Sequence, residues 1–385
     1  MSDARHAYAD LCIAAATALA AVPASHKPDV LVGFDGFIDD IVDLVDKRIS
    51  PKEYTRLKTI TDFGNKVLAA AGKSAGIGAV TKITKLGGNG PIMANALCAQ
   101  DAAVTAIGIL GEPAIHPVFQ PLAARAKQTI SLGNAAVTTA LEFEDGKVML
   151  NFSDPMATIT FDHVAARCGG VAGLKELLKR SAGIASVNWS QTPGMTDMWR
   201  RLAKEILPGL RSDRPLFFVD LADPHRCPAE QIKDGIAALQ DLQKHVDVVL
   251  GLNENECRQM CSIFGIAYPD KQPEWEAARE ACVALRQKFG FSRVMCHLVK
   301  SSAVAWEGGS TSADGFWEPK PKITTGAGDH YNAGFFGALL AGIAPAQCLQ
   351  IGGATSGHYV RTGDSPTRAQ VVSFLRHAAQ GSAKA

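Results

Sequence analysis

Three things are scarce in this 385-residue chain: excess charge of either sign, paired cysteines and long apolar runs. Lys and Arg total 39 against 38 Asp and Glu, and no block of like charges occurs, so nothing in the composition attracts nucleic acid or an anionic membrane. No stretch is long and apolar enough to span a bilayer. Nine cysteines are scattered at irregular spacing without a C-x-x-C, which excludes the usual zinc frameworks and points to reduced thiols in a cytoplasmic protein. Cys257 and Cys261, four apart on an expected helix, read as packed thiols. The chain has no G-x-x-x-x-G-K-[ST] loop, and G-A-G-D at 326–329 lacks the third glycine of a dinucleotide fingerprint. There is no internal repeat and no low-complexity segment.

What is present is ordinary globular material, 47% hydrophobic and 20% charged. The run from Leu11, L-C-I-A-A-A-T-A-L-A-A-V-P-A-S, has the composition of a signal-peptide core. The residues before it carry two acids and one Arg, which is wrong for a leader, so an alanine-rich surface helix over 7–21 is expected. Short β-branched runs at 30–34, 104–110, 184–189, 216–221, 246–250 and 293–299 alternate with helical patterns at 91–100, 229–245 and 274–289. Nearly continuous apolar strands between helices predict an α/β fold with a mostly parallel sheet covered on both faces. Ligands of such sheets sit beyond the carboxyl ends of the strands. The segment 138–152 alternates more cleanly and carries Asp145-Gly146, which predicts a hairpin in a small separate sheet, a lid.

The run I-T-T-G-A-G-D-H-Y-N-A-G begins at Ile323. Small residues let backbone approach a ligand closely, and the helix that follows, with Phe335, Phe336 and Leu339 at helical spacing, turns its N-terminus toward that ligand. Asp329 alone reads as a helix cap. The cap does not explain the small residues around it, whereas an anion hole beside a carboxylate base explains both. That pairing suits transfer of a phosphoryl group to a hydroxyl.

This run resembles the C-terminal signature of the ribokinase-like (PfkB) carbohydrate kinases. G-G-N-G-P-I-M-A-N-A-L at 87–97 resembles the family's Gly-Gly signature, and N-E-N-E at 253–256 its N-x-x-E motif. The three follow in the family's order over most of the chain. The resemblance implies one ribokinase-like unit over 1–385, a three-layer α/β/α sandwich with a β-lid formed from about 34–45 and 138–152. It implies that ATP, with Mg²⁺, phosphorylates a hydroxyl of a small sugar or sugar-like acceptor. Asp329 is then the catalytic base, and the N–H groups of Gly326, Ala327 and Gly328 hold the transferring phosphate. Thr325 with Gly326, Gly328 and Asn253 faces the nucleotide, and Asn253 and Glu256 place the metal. Gly87, Gly88 and Asn89 contact the acceptor, with an acid from the G-F-D-G-F-I-D-D run, Asp39 first and Asp35 second. Read without the family, Asn253 and Glu256 form a capping box, and Gly87-Gly88 is a turn before a helix with Pro91 at its first position. His330 reads as packed on its helix, Trp189 as pocket wall or core, and Asp220 and Asp223 as metal support or turn. Lids of this family pair between subunits in many members, which implies a homodimer.

Three departures stand out, the first that the chain is long for the family, with extra residues at the N-terminus and between Asp43 and Gly87. Ile323 occupies the place of an acid that helps several relatives hold a monovalent cation, so the resemblance does not extend to such a cation. H-L-V-K-S-S at 297–302 lacks the glycines of the family's nucleotide turn, which leaves ADP open as donor. A nucleoside kinase and a non-catalytic sugar-binding protein on the same fold are the remaining alternatives.

Overall fold

A computed structural model describes residues 2–269 and 273–381. Its strands in chain order are β1 (Asp29–Phe34), β2 (Phe37–Arg48), β3 (Tyr54–Arg56), β4 (Ala79–Gly87), β5 (Ala103–Gly108), β6 (Gln128–Ser131) and β7 (Ala136–Phe143). They continue with β8 (Gly146–Phe152), β9 (Gly183–Ser186), β10 (Leu216–Asp220), β11 (Asp247–Asn253), β12 (Arg293–His297), β13 (Ser301–Trp306) and β14 (Gly309–Asp314). Nine of them form one sheet in the order β14-β13-β12-β11-β10-β9-β1-β5-β6. It is parallel from β12 to β6, and β13 and β14 add an antiparallel edge.

The unbroken apolar runs follow from burial on both faces. In β10, Phe217 and Val219 enter one core and Phe218, between them, the other, all 0% exposed. The N-terminal helix, Ser2–Ala21, starts earlier than its alanine pattern suggested. It buries Cys12, Ala15, Ala16 and Leu19 and packs on the C-terminal helix Arg368–Ala379. Among the described residues no helix is long and apolar enough to cross a membrane.

A second sheet, ordered β3-β2-β7-β8 with β4 paired to β2, stands apart from the first. It draws on more of the chain than the two segments the sequence indicated, because the residues between Asp43 and Gly87 supply β3, β4 and the helix Ile60–Leu68. That helix is fixed by a capping box from Thr59 and Asp62. One face of the sheet buries Val42, Leu44, Leu57, Leu141 and Phe143 with Phe63 of the helix. The opposite face carries Asp39, Thr138 and Asn151 in one cross-strand row.

Three local expectations shift by a residue or two. The hairpin loop is Glu144-Asp145, since Phe143 pairs with Gly146 as the first residue of β8. The helix after Gly88 is Asn89–Ala99, so Pro91 is its third residue, still where no intrahelical N–H is needed. The run H-L-V-K-S-S closes a β12–β13 hairpin, with Leu298 N–H on the Ser301 carbonyl at 2.8 Å, a turn that uses no glycine.

Candidate active site

Five parallel strands end on polar side chains at the same edge of the main sheet. β1 leads to Asp35, β9 to Asn188, β10 ends at Asp220, β11 at Asn253 and β12 at His297. The strand order reverses around β1, which opens a crevice there. The inward face of the second sheet covers it. Together they enclose a cavity of about 560 Å³ whose wall includes Asp39, Asn89, Asp220, Asn253, Glu256 and Asp329.

The G-G-N-G turn is explained by carboxylates. A Cβ on Gly87 would lie 2.3 Å from Asp39 Oδ1, and one on Gly90 2.6 Å from Asp35 Oδ1. Gly88, at φ 89°, is left-handed and starts the helix Asn89–Ala99. The first N–H groups of that helix, from Asn89 and Gly90, donate to Asp35 at 2.9 and 2.7 Å, and Asn188 Nδ2 donates to it at 2.7 Å. Asp35 therefore departs from the expectation for an acceptor contact. It is 1% exposed, absent from the cavity wall, and fills the anion site of a helix N-terminus itself. Asp39 and Asn89 do face the cavity, with Gly88 beside them; Gly87 lies behind Asp39.

Asn89 connects this turn to the T-T-G-A-G-D run. Its Nδ2 donates to Asp329 Oδ1 at 2.9 Å. Asp329 sits in the first turn of the helix Ala327–Leu340, whose cap Gly326 is left-handed at φ 89°. Burial, then the negative charges of Asp220 and Asp35, push its pKa well above the usual carboxylate range. Gly326 and Gly328 line the cavity with Thr324 and Thr325. Ala327 does not, and its N–H donates to the Thr324 carbonyl at 3.1 Å, closing the turn. His330 is a structural support, as read from the sequence. Its Nδ1 lies 2.7 Å from the Gly326 carbonyl and its Nε2 2.8 Å from Ser365 Oγ, and its ring stacks on Tyr359 at 3.6 Å. Tyr359 in turn donates to the Thr325 carbonyl at 2.9 Å. The backbone of this turn is thus held from behind at two carbonyls.

On the far side of the cavity the capping box is real. Asn253 Oδ1 accepts from Glu256 N–H at 3.0 Å, and Glu256 Oε2 from Asn253 N–H at 2.8 Å. Glu256 Oε1 also accepts from Asp223 N–H at 2.9 Å. Burial and the charge of Asp220 raise Glu256 to about 8. Asp220 is raised to about 6, again by burial first, against donors from Ala222 N–H at 2.8 Å and Asn332 Nδ2 at 2.7 Å. Two buried carboxylates that resist ionisation side by side fit a divalent cation held by one or two carboxylates with waters. The buried Oδ1 of Asn332, beside Asp220, has no partner and fits a metal-bound water as donor. Among the described residues no group of three or more His, Cys, Asp or Glu forms a preassembled cage.

Two residues of this site escaped the sequence reading. Asn188, left-handed at φ 60°, lines the cavity with a buried, unpartnered Oδ1. Its signal was its place just past a strand on the ligand side. Asn332 is three residues after Asp329, on the same helix face, and that spacing was available in D-H-Y-N. Trp189 is core, stacked on Trp199 and donating to Thr196 at 2.9 Å.

The chain is similar to known proteins over nearly its whole length. A family profile described as prokaryotic ketohexokinase matches residues 10–378. A ketohexokinase of Haloferax volcanii is 28% identical over 347 residues, 90% of each chain. Among solved structures, an Arabidopsis thaliana ribokinase complexed with ribose and ATP superposes with a TM-score of 0.64 at 18% identity, covering 91% of this chain and 99% of that one. A carbohydrate kinase from Agrobacterium tumefaciens gives 0.60 at 17%, covering 91% and 97%. The fold is ribokinase-like, and the chain belongs to the prokaryotic ketohexokinase family, a carbohydrate kinase within the PfkB-type kinases that its three motifs indicated.

Proposed function

We propose that this kinase transfers the γ-phosphoryl group of ATP, with Mg²⁺, to a hydroxyl of a ketohexose or a closely similar sugar. The observation that carries the reading is the buried Asp329 carboxylate, held by Asn89 at a helix N-terminus and facing a cavity walled by Asp39, Asn89 and Asn188. Asp39 accepts from one acceptor hydroxyl and the free Oδ1 of Asn188 from another. The hydroxyl to be phosphorylated lies against Asp329, which takes its proton as the oxygen attacks phosphorus. The N–H groups of Gly326 and Gly328 receive the charge that develops on the phosphoryl oxygens, and Thr325 borders the same space. Asp220, Glu256 and Asn253 are the residues that would hold Mg²⁺, which when bound would neutralise the nucleotide phosphates. Ala327 contributes by keeping the turn closed.

The second sheet acts as a lid over the acceptor, excluding water as a rival nucleophile. Lys147 of β8 ties it to the anion hole, donating to Thr325 Oγ1 at 2.9 Å. The exposed Met149, Leu150 and Phe152 of the same edge strand are where a second copy would pair, giving a homodimer. Ile323 offers no carboxylate to a monovalent cation, so turnover is expected to be indifferent to potassium. Nine unpaired thiols suit a reducing cytoplasm.

The test is acceptor-dependent nucleotide turnover with Mg²⁺, run with ATP and with ADP over ketohexoses, aldoses, polyols and nucleosides. Turnover with ATP and ketohexoses supports the reading. A preference for nucleosides, or for ADP, overturns the corresponding half of it.

A further inference from the structure

A second cavity, of about 750 Å³, adjoins the first and shares Asp39, Met149, Thr324 and Thr325 with it. The two differ sharply in charge. The transfer cavity is walled by Asp39, Asp220, Asp223, Glu256 and Asp329 against Arg226 and a buried His297 that its surroundings keep neutral. The second is walled by Arg56, Lys82, Lys85, Lys147 and Lys322 against Asp39, Asp43 and Glu142. These bases come from three separate strands and from the segment before the T-T-G-A-G-D run, which is why no cluster is visible in the sequence.

Arg56 and Lys82 are accounted for locally, at 3.5 and 3.7 Å from Asp43. The other three have no carboxylate in ion-pair range among the described residues. Lys147 donates to Thr325 and Lys322 to the Thr362 carbonyl, at 2.9 and 2.7 Å. Lys85 is half-buried; burial first, and then the charge of Lys147, lower its pKa against the attraction of Asp39 and Glu142. A partly desolvated ammonium facing a second ammonium is an arrangement that a bound anion relieves.

We propose that the second cavity binds an anionic group, a phosphate or a carboxylate, beside the acceptor, carried either on the far end of the sugar or by a separate small anion. The proposal rests on the reading of Asp39 and Asn89 as the acceptor site, since their cavity opens into this one. Lys85, Lys147 and Lys322 hold the anion. Each charge-assisted contact is expected to change its binding roughly tenfold.

The experiment compares a neutral ketohexose with its terminal phosphate ester and its terminal carboxylate in the wild type and in Lys322→Met, an exposed position outside the transfer cavity. With an acceptor-borne anion, the charged sugar has a KM about tenfold below the neutral one in the wild type. Lys322→Met abolishes that advantage and leaves the neutral sugar's kcat and KM unchanged. With a separate anion, inorganic phosphate changes the neutral sugar's KM saturably at constant ionic strength, and the variant does not respond. The proposal is overturned if the charged-to-neutral ratio is the same in both proteins and phosphate does no more than matched chloride. Absence of turnover with every sugar would instead strike the functional reading. The anion site is then judged by thermal unfolding with millimolar inorganic phosphate: a rise in Tm that Lys322→Met removes supports it, and equal shifts in the two proteins reject it.

Discussion

As the proposed base, Asp329 would have to be ionised to accept a proton, yet its surroundings in the free protein favour the protonated form. Burial and the nearby charges of Asp220 and Asp35 all raise its pKa, and only the Asn89 donor opposes them. The acid limb of kcat/KM is therefore expected above the usual carboxylate range, with the rate rising as pH rises through it. Asp220→Asn removes one of the charges, so the limb moves to lower pH even though kcat falls; a limb that stays in place would refute the electrostatic account. Asp329→Asn keeps a side chain of the same shape without the base. Sugar binding measured by calorimetry is expected to persist while turnover drops about 10²–10⁴-fold. Asp35 acts one step back, through the N–H groups of Asn89 and Gly90, and its replacement should show as a misplaced Asn89.

At the scale of elements, the site is an assembly of turns whose small residues make room for protein carboxylates. Ala at position 87 would place a methyl group within 2.3 Å of Asp39 Oδ1, so Gly87→Ala is expected to displace Asp39 and raise the sugar KM more than tenfold with little change for ATP. An unchanged sugar KM would mean that Asp39 does not touch the acceptor. Asn253 caps its helix and is proposed to place the metal as well, and Asn253→Ala separates the two. Loss of the cap costs about 1 kcal/mol of stability, read from denaturant unfolding without nucleotide. Loss of metal placement should appear as a raised Mg²⁺ requirement, absent if Asn253 is only a cap. The second sheet is tied to Thr325 through Lys147, and if it serves as the proposed lid, Lys147→Met is expected to raise the ratio of ATP hydrolysis to sugar phosphorylation.

For the whole molecule, strand ends that crowd acids into one crevice carry a stability cost that depends on pH. Asp35 and Asp220, each raised to about 6, and Glu256, raised to about 8, hold protons that the unfolded chain releases near pH 4. Raised folded-state values mean stability that is full below about pH 4 and is lost as pH climbs through 6 and 8. The Tm of the ligand-free protein, measured from pH 5 to 8.5, is expected to fall over that window relative to Glu256→Gln. Addition of Mg²⁺ at pH 8 should recover part of the loss, because the ion binds the ionised form. A wild-type profile parallel to that of the variant would show that Glu256 is not the group responsible.

The sequence by itself determined the architecture, the family and the glycine turns that border the cavity. Unbroken apolar strands such as L-F-F-V-D-L require a sheet covered on both faces, because alternate side chains of β10 enter two cores. The glycine turns before Asn89 and Asp329 mark where backbone must be approached closely, and three ordered motifs then assign the family. These are local properties, carried by neighbouring residues. The tertiary structure alone decided where the acids stand. Asp35 and Asp39 are four residues apart in one run, yet Asp35 is sealed against a helix N-terminus while Asp39 faces the cavity. Asn188 and Asn332 gain their roles only where strand ends and the Ala327–Leu340 helix converge. The lysines of the second cavity are up to 240 residues apart, and the fold alone makes them neighbours, because electrostatic proximity depends on distance in space and leaves no periodicity in the chain.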